Sequence, residues 1–161
     1  MIELMVTVAI LAVMSTVVLM AMGPALRDAR LRSGCRMVVA KMNYARSYAI
    51  SHQASSRVTL DKSSGVLSLL ALRKDSDGTE TLVPVTTSSG KSTRVPKGVT
   101  IADVRKPGVP EDEDFVDFSD AGQSEPAVIT LEDATGVKKI VVVDSITGRC
   151  SVQSNQTNEA R

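Results

Sequence analysis

Ile2-Glu3-Leu4-Met5-Val6-Thr7-Val8-Ala9-Ile10-Leu11 begins a run that stays apolar to Met22 and holds a single charge, Glu3, at its mouth. Between Leu4 and Met22 nothing is more polar than Thr7, Ser15 and Thr16. As a helix, those nineteen residues span roughly 28 Å, about the thickness of a bilayer's hydrocarbon core. Three structures are open to such a segment: a secretory signal peptide, a spanning helix or a buried core helix. A signal peptide starts basic, is shorter and ends at a small-x-small cleavage site. This segment starts acidic and is long. A carboxylate at the edge of a membrane-length helix is costly unless something partners it, so Glu3 reads as functional.

Gly23-Pro24 is expected to end or kink the run, because proline removes a helical hydrogen bond. Helical character then resumes. Leu31, Cys35, Val38, Met42, Ala45 and Ala49 recur at steps of four and three, which is one helix face. Arg32, Arg36, Lys41, Asn43, Arg46 and Ser47 form the polar side. The pattern predicts one long helix reaching His52, apolar over 1–24 and amphipathic over 25–55.

From residue 56 the pattern changes to short alternating segments punctuated by turns. Arg57–Asp61 and Val66–Leu72 flank Lys62-Ser63-Ser64-Gly65 as a hairpin, and Asp75-Ser76-Asp77-Gly78 turns the chain into Glu80–Thr86. Residues 87–93 read as a flexible loop. Further strands are predicted at Val99–Arg105, Phe115–Ser119, Ala127–Glu132, Val137–Asp144 and Arg149–Val152. A β-rich domain thus occupies 56–153, and the polar stretch 154–161 reads as a flexible tail. In a chain of 161 residues, this leaves room for one modest soluble domain beyond the helix. With two Tyr, two Phe and no Trp, its core must be aliphatic.

Charge is divided unevenly. Residues 1–57 hold seven basic side chains against Glu3 and Asp28, a net +5, whereas the other 104 residues hold 12 basic and 16 acidic groups, a net −4. Such a division suggests complementarity within or between subunits. For Arg27 to Arg36 the simpler reading is preferred: they meet lipid phosphates where the helix leaves the membrane. Cys35 and Cys150 form no CxxC pair, which argues against metal or thioredoxin-type chemistry. They are either one long-range disulfide, joining the last strand to the buried face of the helix, or two small buried apolar residues.

Ile2-Glu3-Leu4-Met5-Val6-Thr7-Val8-Ala9-Ile10-Leu11, followed by an amphipathic helix and antiparallel strands, resembles the type IV pilin superfamily. Further along, Ala40 to Ile50, Val95-Pro96-Lys97-Gly98-Val99, Val116 to Gly122 and Ile146-Thr147-Gly148-Arg149 resemble the minor pseudopilin branch of type II secretion and its FimT-like pilus relatives. The resemblance implies an α+β, pilin-like fold: a long N-terminal helix, transmembrane then amphipathic, packed on antiparallel β-sheet. It implies a leader peptide and a mature phenylalanine upstream of Met1, prepilin cleavage by a prepilin peptidase, and methylation. It gives Glu3, flanked by Ile2 and Leu4, the task of pairing with the N-terminal amine of a neighbouring subunit during filament assembly. The positive-inside rule alone would keep the β domain in the cytoplasm. The resemblance, with its basic leader, places it in the periplasm below a single inner-membrane pass.

No enzymatic site emerges. His52 is alone at a helix end, there is no GxSxG or SxxK arrangement, and no glycine-rich phosphate loop follows a strand. No cofactor is expected. The cluster Glu111-Asp112-Glu113-Asp114, with Asp117 and Asp120, has the ligands for calcium but lacks the spacing of an EF-hand, and reads as a solvated loop. Arg149 is a weak DNA-binding candidate, because some FimT-like pilins bind DNA through a Gly-Arg-x-Arg whose second arginine is Ser151 here. Nucleic acid is therefore not the expected partner. The expected role is a minor structural subunit of a type II secretion pseudopilus, assembled with other pseudopilins. A type IV pilus or competence subunit is the alternative, and a membrane-anchored periplasmic binding domain a distant one.

Overall fold

The structure, a computed structural model, describes residues 2–74, 80–108 and 114–154, without the side chains of residues 15–22, 74 and 154. The predicted turn Asp75-Ser76-Asp77-Gly78, the acidic residues Glu111, Asp112 and Glu113, and the tail beyond Ser154 lie outside the described residues.

One helix, α1 (Ile2–His52), runs through Pro24 without ending there. Its C-terminus is closed by local bonds. Gln53 takes a left-handed φ of 48°, Ala54 N–H donates to the Ala49 carbonyl at 3.2 Å, and His52 Nδ1 lies 3.0 Å from the Tyr48 carbonyl. His52 also stacks on Tyr48 with ring centroids 3.9 Å apart.

Among the described residues nine strands follow: β1 (Ser56–Asp61), β2 (Val66–Lys74), β3 (Glu80–Pro84), β4 (Thr93–Arg94), β5 (Val99–Arg105), β6 (Phe115–Phe118), β7 (Ala127–Asp133), β8 (Lys138–Val143) and β9 (Cys150–Ser154). All pairings are antiparallel and make two sheets, β3-β2-β1-β6 with β4 also on β2, and β5-β7-β8-β9. The predicted strands are all present. The one added is β4, which starts at the last residue of the stretch 87–93 that reads in sequence as a loop. It shares one edge of β2 with β3: β3 covers Leu70–Lys74 and β4 covers Val66–Leu67.

Both sheets pack on the second half of α1. The six stripe residues Leu31, Cys35, Val38, Met42, Ala45 and Ala49 are all 0% exposed. Against them the first sheet turns Val58, Leu60, Leu67, Leu69, Val116 and Phe118, and the second turns Ile101, Ile129, Leu131, Val141 and Val143. Fully burying one such large side chain contributes about 1.5–3 kcal/mol, so the aliphatic set replaces the missing aromatics. In β5 a register shift between Ile101 and Asp103 lets Val99, Ile101 and Val104 all face inward.

Three turns share one device. Asp61 accepts from Ser63 and Ser64, Asp133 from Thr135 and Val137, and Asp144 from Thr147. For Asp133 the Thr135 hydroxyl, aided by backbone N–H groups, holds the carboxyl below its ordinary value of 3.8. A folded-state pKa below the unfolded one contributes stability that is present above the unfolded value and lost as pH falls through the folded one. Resistance to urea is therefore expected to fall on going from about pH 6 to about pH 3, with a shallower fall in Asp133→Asn. Equal slopes in the two proteins would remove Asp133 from the account.

Candidate assembly interface

Glu3 lies in the first turn of α1 with its side chain exposed. Its neighbours Ile2 and Leu4 are 81% and 70% exposed, and the described apolar side chains onward to Met14, then Leu26, stay exposed as well. The domain's core begins only at Leu31. Among the described residues no helix is long and apolar enough to cross a membrane, and the side chains of 15–22, the last part of the apolar run, are outside that description. Exposed apolar helix surface such as that of residues 4–14 marks an interaction site, with lipid or with other protein.

Where the helix enters the domain, Asp28 bridges two cations: Lys139 Nζ at 2.6 Å and Arg32 Nε at 2.8 Å. The hydrogen bond from Lys139 leads in lowering the Asp28 pKa. This cross-link has the opposite sense to the one the charge division suggests, since the acid is on the helix and the base on β8.

Lys41 corrects the sequence reading. Assigned there to the solvated face, it is 5% exposed, and its ammonium donates to the carbonyls of Ser89 (3.1 Å), Gly90 (2.9 Å) and Lys91 (2.5 Å). Three donors meet three acceptors, so the buried charge is fully hydrogen-bonded. Desolvation lowers the Lys41 pKa. Nearby, the Tyr44 and Thr87 hydroxyls are 2.8 Å apart. The stretch read as a flexible loop is thus gripped by the helix between β3 and β4. The missed signal was spacing: Lys41 stands three after Val38 and four before Ala45, which puts it on the buried face.

At the other end of the domain, Arg46 Nε donates to the Gly122 carbonyl at 3.1 Å. Gly148, at φ 60°, packs so tightly that a Cβ there would sit 2.2 Å from that same carbonyl and 3.0 Å from Arg46 Cδ. Arg149 is exposed next to this junction, and its N–H donates to Thr147 Oγ1 at 3.3 Å. The nearest cation at this junction is Arg46, whose Nε is already given to the Gly122 carbonyl.

Cys35 and Cys150 are both free thiols, the first buried and the second half-buried. Gly34, beside Cys35, abuts Leu131, whereas Cys150 pairs with Val143, opposite Ala127. Four strand positions separate those rows, about 13 Å, well beyond the roughly 7 Å Cα separation a disulfide tolerates. Burial pushes the Cys150 thiol up to about 11, and the Cys35 thiol is raised for the same reason.

Other candidates sort simply. His52 and Tyr48 line a cleft of about 380 Å³ that no carboxylate joins. Asp114, the described member of the acidic cluster, pairs with Lys62 at 2.5 Å, and Asp117 binds Arg57 through both oxygens at 2.7 and 2.8 Å. Among the described residues no three His, Cys, Asp or Glu side chains are gathered as metal ligands.

A long N-terminal helix whose second half is wrapped by antiparallel sheet, with its first half bare, is the α+β, pilin-like fold. The chain superposes on GspH of E. coli with a TM-score of 0.62 at 13% identity, covering 81% of this chain and 92% of that one. It superposes on the minor pseudopilin EpsH of the Vibrio cholerae type II secretion system with a TM-score of 0.61 at 13% identity, covering 80% and 96%. Against the type IV minor pilin FimU of Pseudomonas aeruginosa the values are 0.54 and 16%, covering 78% and 90%. At these identities the likeness is one of fold. No protein-family model matches the chain, and no curated protein matches it in sequence.

Proposed function

We propose that this protein is a minor, non-enzymatic pilin-like subunit of a type II secretion pseudopilus. In this reading residues 1–24 are a single inner-membrane pass, the β domain lies in the periplasm, and a prepilin peptidase prepares the chain for assembly with other pseudopilins. The observation that carries the reading is a bare apolar half-helix, with Glu3 in its first turn, on a domain of minor-pseudopilin fold. In the membrane, lipid covers that half-helix; in a filament, the helices of neighbouring subunits replace the lipid, and Glu3 meets an amine. A minor pilin of a type IV pilus is the second reading, supported by the likeness to FimU. Preference goes to the pseudopilus because superposition on the two pseudopilins is better, 0.61 and 0.62 against 0.54.

Deleting the gene in its host separates these. Loss of exoprotein export, with surface pili and DNA uptake intact, is the expected result. Loss of pili or of transformation with export intact would transfer the subunit to a pilus.

A further inference from the structure

The domain has a cationic pole, and it is the pole from which the apolar half-helix emerges. All four strands of the second sheet begin or end there. Val99 pairs with Asp133, Glu132 with Lys138, and Lys139 with Ser154. The turn carrying Lys97 joins them through Pro96, which packs against Gly34 of the helix. Arginines 27, 30, 32 and 36 stand on the helix turns that run past this pole; the charge of Arg27 acts on Asp133, and Asp28 ties the helix to Lys139. Arg32, Arg36, Lys139 and Val152 enclose an open cleft of about 340 Å³.

Seven cationic side chains therefore face three anionic ones, and each of the three is already engaged: Asp28 with Lys139 and Arg32, Glu132 with Lys138, Asp133 within its own turn. Two valines tip the same surface, Val137 at 52% exposed and Val152 at 45%. The opposite pole is mixed in charge: Asp117 pairs with Arg57 and Glu125 with Lys106, and Arg46 lies at the Gly122–Gly148 junction.

We infer that this pole is a docking surface for anionic phospholipid headgroups, on which the β domain rests while its helix is in the bilayer. The inference rests on the reading of 1–24 as a membrane pass. Residues 4–26 carry no charge, and Arg27 to Arg36 extend over about 15 Å of helix beyond Leu26. The headgroup layer is roughly 5–7 Å deep. Arginine and lysine stems of several ångströms bridge the remainder by laying their methylenes on the apolar margin and sending the charge to phosphate. Lys97, Lys138 and Lys139 on the domain enlarge the basic strip of the helix into a face, and a face fixes the domain's orientation where a strip would only bind. Val137 and Val152 supply apolar contacts at the interfacial depth. Nucleic acid would use the same phosphate chemistry, but the continuity of this surface with an apolar helix favours lipid.

Hydrogen exchange of the full chain in nanodiscs tests the inference. Discs of phosphatidylcholine alone are compared with discs of phosphatidylcholine and phosphatidylglycerol in equal parts. The anionic discs are expected to slow exchange several-fold in the segments around 96–99 and 133–139, and high salt is expected to reverse the effect. The turn at 145–148, on the far pole, should exchange equally in both. A Lys97→Gln, Lys138→Gln double variant should lose most of the slowing while keeping the far-turn exchange and, within about a degree or two, the thermal melt. Equal exchange at 133–139 in the two kinds of disc would overturn the docking surface. If the chain does not enter either disc, the membrane-pass reading fails instead. Protection of the same segments by duplex DNA but not by anionic lipid would replace lipid with nucleic acid and also overturn the inference.

Discussion

Glu3→Ala is expected to cut incorporation into filaments by about tenfold or more while leaving the β domain's thermal melt unchanged. Removing one partner of a buried ion pair costs about 3–5 kcal/mol, because the other charge is left uncompensated in an apolar setting. The β domain is indifferent, since every core residue lies at or after Leu31. Glu3→Gln keeps the shape and hydrogen-bonding capacity but not the charge, and should fail nearly as badly. Glu3→Asp retains the charge on a shorter stem and should recover part of the loss. Incorporation is read by cross-linking or immunoblotting of sheared filaments. Wild-type incorporation by Glu3→Ala would end the assignment of Glu3 to assembly.

Gly148→Ala is expected to destabilise the folded domain by about 3 kcal/mol, while Arg149→Ala stays within about 0.5 kcal/mol of the parent. Two effects add at Gly148. An L-residue at φ 60° costs roughly 1–2 kcal/mol. The new methyl would also meet the Gly122 carbonyl at 2.2 Å, a backbone atom that cannot rotate away. Relief requires moving the Ser119–Gly122 turn, and with it the bond from Arg46. Arg149, exposed next door, contributes backbone bonds alone, its N–H to Thr147 Oγ1 and its carbonyl to the Asp144 N–H, and both survive truncation of the side chain. The contrast also bears on the Ile146-Thr147-Gly148-Arg149 motif: its glycine is a packing requirement whether or not its arginine touches DNA. A melt of Gly148→Ala indistinguishable from the parent would show that the two loops can part at little cost.

The helix was legible because a period near 3.6 survives in sequence wherever one face is buried along its whole length, and Leu31 through Ala49 kept that period without a miss. The strands were legible for the corresponding reason: β1, β7 and β8 alternate against turn sequences built on aspartate and glycine. Lys41 was misread because composition ranks a lysine as solvated, and only the carbonyls of a loop about fifty residues away make its burial tolerable. The two residues of β4 carry no pattern of their own; they are a strand because Lys41 and Tyr44 return the loop to the free edge of β2. The separation of Cys35 from Cys150 was equally hidden. Burial of both was readable, but their levels along the helix–sheet interface depend on strand register. Glu3 stood out from the start, since one charge in an apolar run needs no tertiary structure to be conspicuous.

The contacts that fix α1 in the domain run from Leu31 to Ala49, about 27 Å of helix axis, and engage strands of both sheets. A tug along that axis loads every one of them in shear at the same moment, together with the three bonds of Lys41 and the Asp28–Lys139 tie. No zipper opens one tooth at a time. Force applied across the edge strands β3 or β9 would instead peel a ladder bond by bond. The molecule is mechanically anisotropic: strong when dragged by its stalk, weak when plucked from the side.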